Sequence, residues 1–103
     1  MVNRFLERTV EVRLDGNQAG RDHSLELEYY WLESDISGQD GKEAQKAYGV
    51  EIVEKRSGIK DENKKFENIY VNREKIKSLV ELLAENTVTP LHLPYILDDL
   101  LGT

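Results

Sequence analysis

The chain changes character at Asn72, and that change limits the fold more than any other feature. After it, the segment Arg73 to Asn86 places Ile76, Leu79, Val80 and Leu83 at spacings that build one apolar stripe, with Lys77 and Glu81 on the other side. Asn72 is suited to accept a backbone N–H bond as the N-cap. These residues predict a capped amphipathic helix over about 73–86. Asn86 is expected to close it in a left-handed cap, and Thr89-Pro90 to prepare a second helix. Pro94 would lose an interior hydrogen bond if that helix ran unbroken from Thr89. A turn over Thr89 to His92 is therefore predicted, with the helix running over about 93–101, Ile96, Leu97, Leu100 and Leu101 forming a broad apolar face, and Gly102 stopping it.

Before Asn72 the apolar residues recur with a period of two, the signature of half-buried strands. From Arg8 to Leu14, Val10, Val12 and Leu14 share one face. Leu25, Leu27, Tyr29 and Trp31 alternate with Glu26, Glu28, Tyr30 and Leu32 and define a second strand. Tyr48, Val50 and Ile52 line a third, in which Gly49 either weakens the strand or marks a bulge. Phe66 to Val71 is short and β-rich, and reads as a fourth after a charged turn over Ser57 to Lys65. Asp15 to Asp22 is turn-rich, and Ser34 to Lys46 reads as a polar, mobile loop. The prediction is an α+β fold: a four-stranded antiparallel meander, with strands within about 8–71, followed by a C-terminal two-helix hairpin packed on one sheet face. Residues 1–103 form a single domain, since a chain of this length supports one modest core.

Charged residues make up 33% of the chain and apolar ones 39%, a balance expected of a soluble folded domain. The net charge of −6 disfavours nucleic acid and anionic lipid as partners. A local basic cluster at Lys55, Arg56, Lys60, Lys64 and Lys65 is interrupted by Glu54, Asp61, Glu62 and Glu67, and lacks the interleaved aromatics of a single-strand groove. With no cysteine there is no disulfide framework, thiolate nucleophile or thiolate metal site. No apolar run approaches the about 20 residues of a membrane span, and the N-terminal residues lack the apolar core of a signal peptide, so a cytoplasmic location is expected.

Motifs of chemistry are sparse. Asp98 and Asp99 are adjacent on a helix and so diverge by about 100°, the wrong arrangement for a shared proton or metal. His92 lies in a proline-bracketed turn without a second histidine, which favours a helix-start role, and His23 sits in a polar turn. Asp35 to Gly41 carries oxygen ligands and two glycines, but lacks the alternating donors and terminal glutamate of a calcium loop. No catalytic residue, metal or cofactor is assigned. The pairs Tyr48-Gly49-Val50-Glu51-Ile52-Val53 and Asn86-Thr87-Val88-Thr89-Pro90-Leu91-His92-Leu93-Pro94-Tyr95-Ile96-Leu97-Asp98-Asp99-Leu100-Leu101 give the second half of the chain its one resemblance. It resembles a family of short uncharacterised proteins, of unknown function, from clostridia and related Gram-positive bacteria. The resemblance implies a bacterial, cytoplasmic setting and assigns no activity.

Two helices can cover one face of such a sheet. The alternation leaves Tyr30, Leu32 and Val53 on the other face, with Tyr70 beside them, rimmed by Glu26, Glu28, Glu51 and Lys55. An apolar patch with tyrosines and a charged rim suits a protein interface, so these four residues are the expected interaction site of a small non-catalytic protein-binding or regulatory module, self-association included. The alternative is a small-ligand binder or enzyme with a pocket between sheet and hairpin near Trp31, Tyr48, His92 and Tyr95.

Overall fold

Residues two apart along each strand build one face of a sheet, and helix residues three and four apart build the layer that covers it. The computed structural model describes residues 2–14, 23–36, 45–56 and 58–102. Strands β1 (Val2–Leu14), β2 (His23–Ile36), β3 (Gln45–Arg56) and β4 (Ile59–Tyr70) precede helices α1 (Arg73–Glu85) and α2 (Leu93–Leu100). The strands pair antiparallel in chain order, β1-β2-β3-β4, so the sheet is the meander that the alternation predicts. Leu25, Leu27 and Tyr29 of β2 and Tyr48, Val50 and Ile52 of β3 are buried with Ile76, Leu79, Val80 and Leu83 of α1 and Leu93 and Leu97 of α2. That cluster is the α+β core. The connections 15–22 and 37–44 lie outside the described residues, and with them most of the Asp35 to Gly41 segment and the polar loop before β3.

Each strand is longer than its sequence pattern suggests, for identifiable reasons. β1 starts at Val2 rather than Arg8 because its register on β2 shifts between Leu6 and Arg8, leaving Glu7 as an extra residue that breaks the period. Before the shift, Phe5 lies opposite Trp31 on the helix side; after it, Val10 and Val12 take that side opposite Leu27 and Leu25. The expected charged turn over Ser57 to Lys65 is mostly strand. Arg56 pairs with Ile59, so the link is two residues long, and Gly58 sits there with φ of 75°. The residues Lys60 to Lys65 showed no alternation because they are exposed on both faces.

Gly49 marks a bulge, and its role is steric. Tyr48 lies opposite Tyr70 and Val50 opposite Phe66, so β4 spends extra residues crossing Gly49, with Asn68 left-handed at φ 58°. A Cβ on Gly49 would run into the carbonyl oxygen of Phe66 and come within 2.8 Å of the Cα of Glu67. The arch thus passes over Gly49 in the space a side chain would fill, and β4 comes into contact with β2 across β3. Leu32, opposite Gly49 on β2, is buried as a result.

The helix termini follow the predicted logic with one change. Asn72 Oδ1 accepts from the Lys75 N–H at 3.1 Å, and α2 begins at Leu93 after a turn in which Thr89 Oγ1 and His92 Nδ1 are 2.9 Å apart. The left-handed residue after α1 is Thr87 (φ 52°), not Asn86. Thr87 N–H donates to the Ala84 carbonyl and Val88 N–H to the Leu83 carbonyl, at 3.1 and 3.0 Å, which is a Schellman closure with Asn86 as the preceding cap. Asn86 instead uses its side-chain Nδ2 to reach the Leu82 carbonyl at 2.8 Å.

Gly49→Ala is expected to lower stability by about 2–3 kcal/mol in urea unfolding, since backbone must move to admit the methyl. Gly58→Ala meets no neighbour within 4 Å and is expected to cost only about 1 kcal/mol, from its positive φ. Equal costs at the two glycines would refute the arch as the reason for Gly49. Thr87→Gly should raise stability by about 1 kcal/mol in the same assay, because a β-branched residue is strained where glycine is not.

Candidate functional site

The outer sheet face is a hydrogen-bonded network rather than an open apolar patch, which corrects the exposure expected of it. Leu32 and Val53 are 1% and 8% exposed. Tyr30 is half-buried, with the Arg4 guanidinium 4.1 Å from its ring centroid and its hydroxyl donating to Glu28 at 2.8 Å. Burial, and then that hydrogen bond, raise the pKa of Tyr30. Glu51, the one buried charged residue among those described, accepts from Arg4 of β1 at 3.1 Å and from Asn63 of β4 at 2.8 Å. One carboxylate in β3 thereby ties both edge strands together. Tyr70 is not on this face: it lies opposite Tyr48 and packs against the core on the helix side.

The other candidates also separate. His92 and Tyr95 are exposed on the hairpin, Tyr48 is buried, and Trp31 is half-buried under Phe5, whose ring stacks on it at 4.3 Å. Neither cleft on the hairpin is lined by any of the four. Of the basic residues, Lys55 pairs with Glu28 at 3.4 Å and Arg56 with Glu54 at 3.0 Å, while strand alternation sends Lys64 and Lys65 to opposite faces. Among the described residues no three of His, Asp and Glu gather closely enough to hold a metal.

What the structure brings together instead is a cleft along the hairpin. One part, of about 450 Å³, is lined by Tyr70, Lys75, Ser78 and Leu79; the next, of about 240 Å³, by Leu83, Val88, Ile96 and Asp99; Leu82 and Leu100 border both. Leu82, Leu100 and Leu101 are 43%, 47% and 43% exposed, so the predicted apolar face of α2 is only partly used by the core. From Lys75 to Asn86 the cleft follows α1 for about 16 Å at the helical rise. Sequence periodicity missed it. Leu82 falls just beside the buried stripe, and only the packing of α2 shows that Leu100 lies across from it.

The rim is acidic at one end. Asp99 lines this end of the cleft and Glu74 the other; after Lys77 the hairpin contains no lysine or arginine, and Glu81, Glu85 and Asp98 are exposed elsewhere on it. Neither helix has a basic residue in its last turn; the negative end of the α1 dipole lies at the Asn86 end of the cleft, and α2 ends at Leu100, which borders both parts. At the other end Lys75 lies 5.9 Å from the Tyr70 ring and Arg73 5.9 Å from Trp31.

The floor is fixed by Tyr29. Its ring is fully buried in β2, and its hydroxyl donates to the Val88 carbonyl at 2.9 Å, holding the interhelical link against the centre of the sheet. Burial pushes its pKa up to about 12, which Arg8 nearby offsets in part.

The model of a family of unknown function, DUF6514, matches residues 8–103. The chain belongs to this family. The match spans β1 from Arg8 through α2, and therefore takes in the arch over Gly49, Tyr29 and the whole cleft. No curated protein and no solved structure matches the chain. No helix among the described residues is long and apolar enough to cross a membrane.

Tyr29→Phe should cost about 1–2 kcal/mol at neutral pH by leaving the Val88 carbonyl without its donor. In the native protein the phenol stays protonated to about 12, against about 10 in an unfolded chain. The raised folded value means that its contribution is intact below pH 10 and is lost as the pH rises through 12, at up to about 1.4 kcal/mol per unit. Urea unfolding at a series of pH values from 8 to 12 should show this alkaline decline weakened in Tyr29→Phe; parallel profiles would show that Tyr29 is not its source.

Proposed function

We propose that the chain is a small non-catalytic protein-interaction module that receives an amphipathic helix of a partner protein in the hairpin cleft, within the cytoplasm of a Gram-positive bacterium. The setting follows from the sequence resemblance in the strand at Tyr48 to Val53 and in the hairpin. The observation that carries the interaction is the exposed leucine pair Leu82 and Leu100 in a groove about three helical turns long. Side chains so exposed contribute little to folding where they are, yet would each offer about 1–2 kcal/mol if a partner covered them.

Charge selects the partner's character. The carboxylate of Asp99 in the cleft wall, the α1 C-terminus beside it, and Glu81, Glu85 and Asp98 elsewhere on a hairpin without lysine or arginine after Lys77 produce a negative potential that a basic helix would offset. The partner segment is therefore a helix with an apolar stripe flanked by lysine or arginine. Tyr70, one of the four residues expected at the interface, supports this reading as part of the cleft wall. Tyr30, Leu32 and Val53 contribute to it only by stabilising the sheet beneath.

Fluorescence anisotropy with a labelled model peptide tests the reading directly. A helical peptide carrying a leucine stripe flanked by lysines should bind at least about ten-fold more tightly than the same stripe flanked by glutamates. Leu82→Asp with Leu100→Asp, both at exposed positions, should abolish that binding while far-UV circular dichroism stays unchanged. Equal binding by the folded double variant would overturn the assignment of the cleft.

A further inference from the structure

The two edges of the sheet differ, and the difference points to a second copy of this chain. The β4 edge is guarded: Lys60, Asp61, Glu62, Lys64, Lys65 and Glu67 crowd it and the arch over Gly49 bends it away. The β1 edge, 13 residues long, has no strand on its far side among the described residues, and Val2, Phe5 and Leu6 along it are 40%, 40% and 54% exposed. We infer that two copies join β1 to β1, antiparallel, about a two-fold axis at the Glu7 bulge, with Arg4 opposite Glu11 and Glu7 opposite Arg8.

The bulge is what makes this register possible. In a regular antiparallel pair opposed residues lie on one face, so an even-numbered residue could not meet an odd-numbered one across a two-fold normal to the sheet. Here the shift between Leu6 and Arg8 changes the count. Arg4 and Leu6 lie on the outer face, opposite Leu32 and Tyr30, and so do Thr9 and Glu11, opposite Glu28 and Glu26. Arg4 therefore meets the second copy's Glu11 on the same face, and Leu6 meets Thr9. On the helix side Phe5 meets Val10, and Asn3 meets Val12. Backbone donors and acceptors alternate along a strand together with the side chains, so the same shift keeps the free N–H and C=O groups in phase.

Charge picks this register over its neighbours. Symmetry makes each pairing twice, giving four opposite-charge pairs and no like-charge pair. A shift of the second copy by two residues one way sets Arg4 against Thr9 and Phe5 against Arg8; the other way it sets Arg4 against Arg13 and Leu6 against Glu11. Arg4 already donates to Glu51, but its side chain is 50% exposed and a guanidinium has donors for a second carboxylate. The product is a continuous eight-stranded sheet with both hairpins on one face.

Sedimentation velocity over a range of concentrations tests the inference, reading mass against the 11.9 kDa of one chain. The native protein should dimerise, more weakly as salt rises. Glu7→Arg, and separately Arg8→Glu, set like charges against each other at the axis and should each raise the dimer dissociation constant on the order of ten-fold. The double exchange Glu7→Arg, Arg8→Glu should restore it, and circular dichroism should report all three folded. A native protein that stays monomeric, single variants that dimerise normally, or a double exchange that fails to rescue would each overturn the inference.

Discussion

The hydrogen bond from Tyr29 to the Val88 carbonyl is the point on which the two layers depend. Val88 belongs to the short link that closes α1 and leads to α2, and its backbone is turned inward by the left-handed Thr87. A carbonyl buried there without a donor would cost more than the bond itself contributes. Tyr29, at the centre of β2, supplies the donor from one of the two strands flanked on both sides. The link cannot slide along the sheet without breaking this bond, so the angle of the hairpin, and with it the spacing of Leu82 from Leu100, is set from beneath.

A mismatch in length shapes everything else. β1 and β2, of 13 and 14 residues, span about 43–46 Å, whereas α1 and α2, of 13 and 8, span about 20 and 12 Å. The hairpin covers only part of the sheet, and the remainder must be stabilised by other means. At the β3–β4 turn it is charge, with Arg56 and Glu54 paired at 3.0 Å. Near the start of β1 it is aromatic contact, Phe5 on Trp31 and Trp31 towards Tyr48. On the face away from the helices Glu51 joins the two edges. This is why a polar side chain occupies one of the most buried positions of that face: it replaces the second layer that the fold lacks.

The same mismatch explains what could be read from the sequence. Where the hairpin covers the sheet, core residues recur every second position, so Leu25, Leu27, Tyr29, Val50 and Ile52 identified their strands and Ile76, Leu79, Val80 and Leu83 their helix, although residues 47–53 of β3 are buried on both faces. Where it does not, Lys60 to Lys65 are wet on both sides and lose the signal. The outer face was misread for a different reason. Alternation assigns Leu32 and Val53 to that face correctly, but cannot show that an arch in β4 and the reach of Arg4 to Glu51 cover it. Gly49 was the visible trace of that arch. The cleft left a fainter trace, namely more leucine in the hairpin than one buried stripe requires, and its shape depended on a packing angle set by Tyr29.

Two of the three irregularities in strand pairing therefore act in opposite senses. The arch over Gly49 spends extra β4 residues to close one face and blunt one edge, and it needs a glycine because backbone lies where Cβ would be. The extra residue Glu7 in β1 costs one step of register and changes which residues share a face. A bulge commonly protects an edge, but one flanked by Arg4 and Glu11 at matched distances gives it a two-fold centre instead. With β4 closed and β1 symmetric, assembly through β1 ends at two copies rather than extending, since each copy has one such edge among its described residues. The hairpins then stand on the same side of the joined sheet, so a partner carrying two basic helices could engage both clefts at once, with the second contact strengthened by proximity.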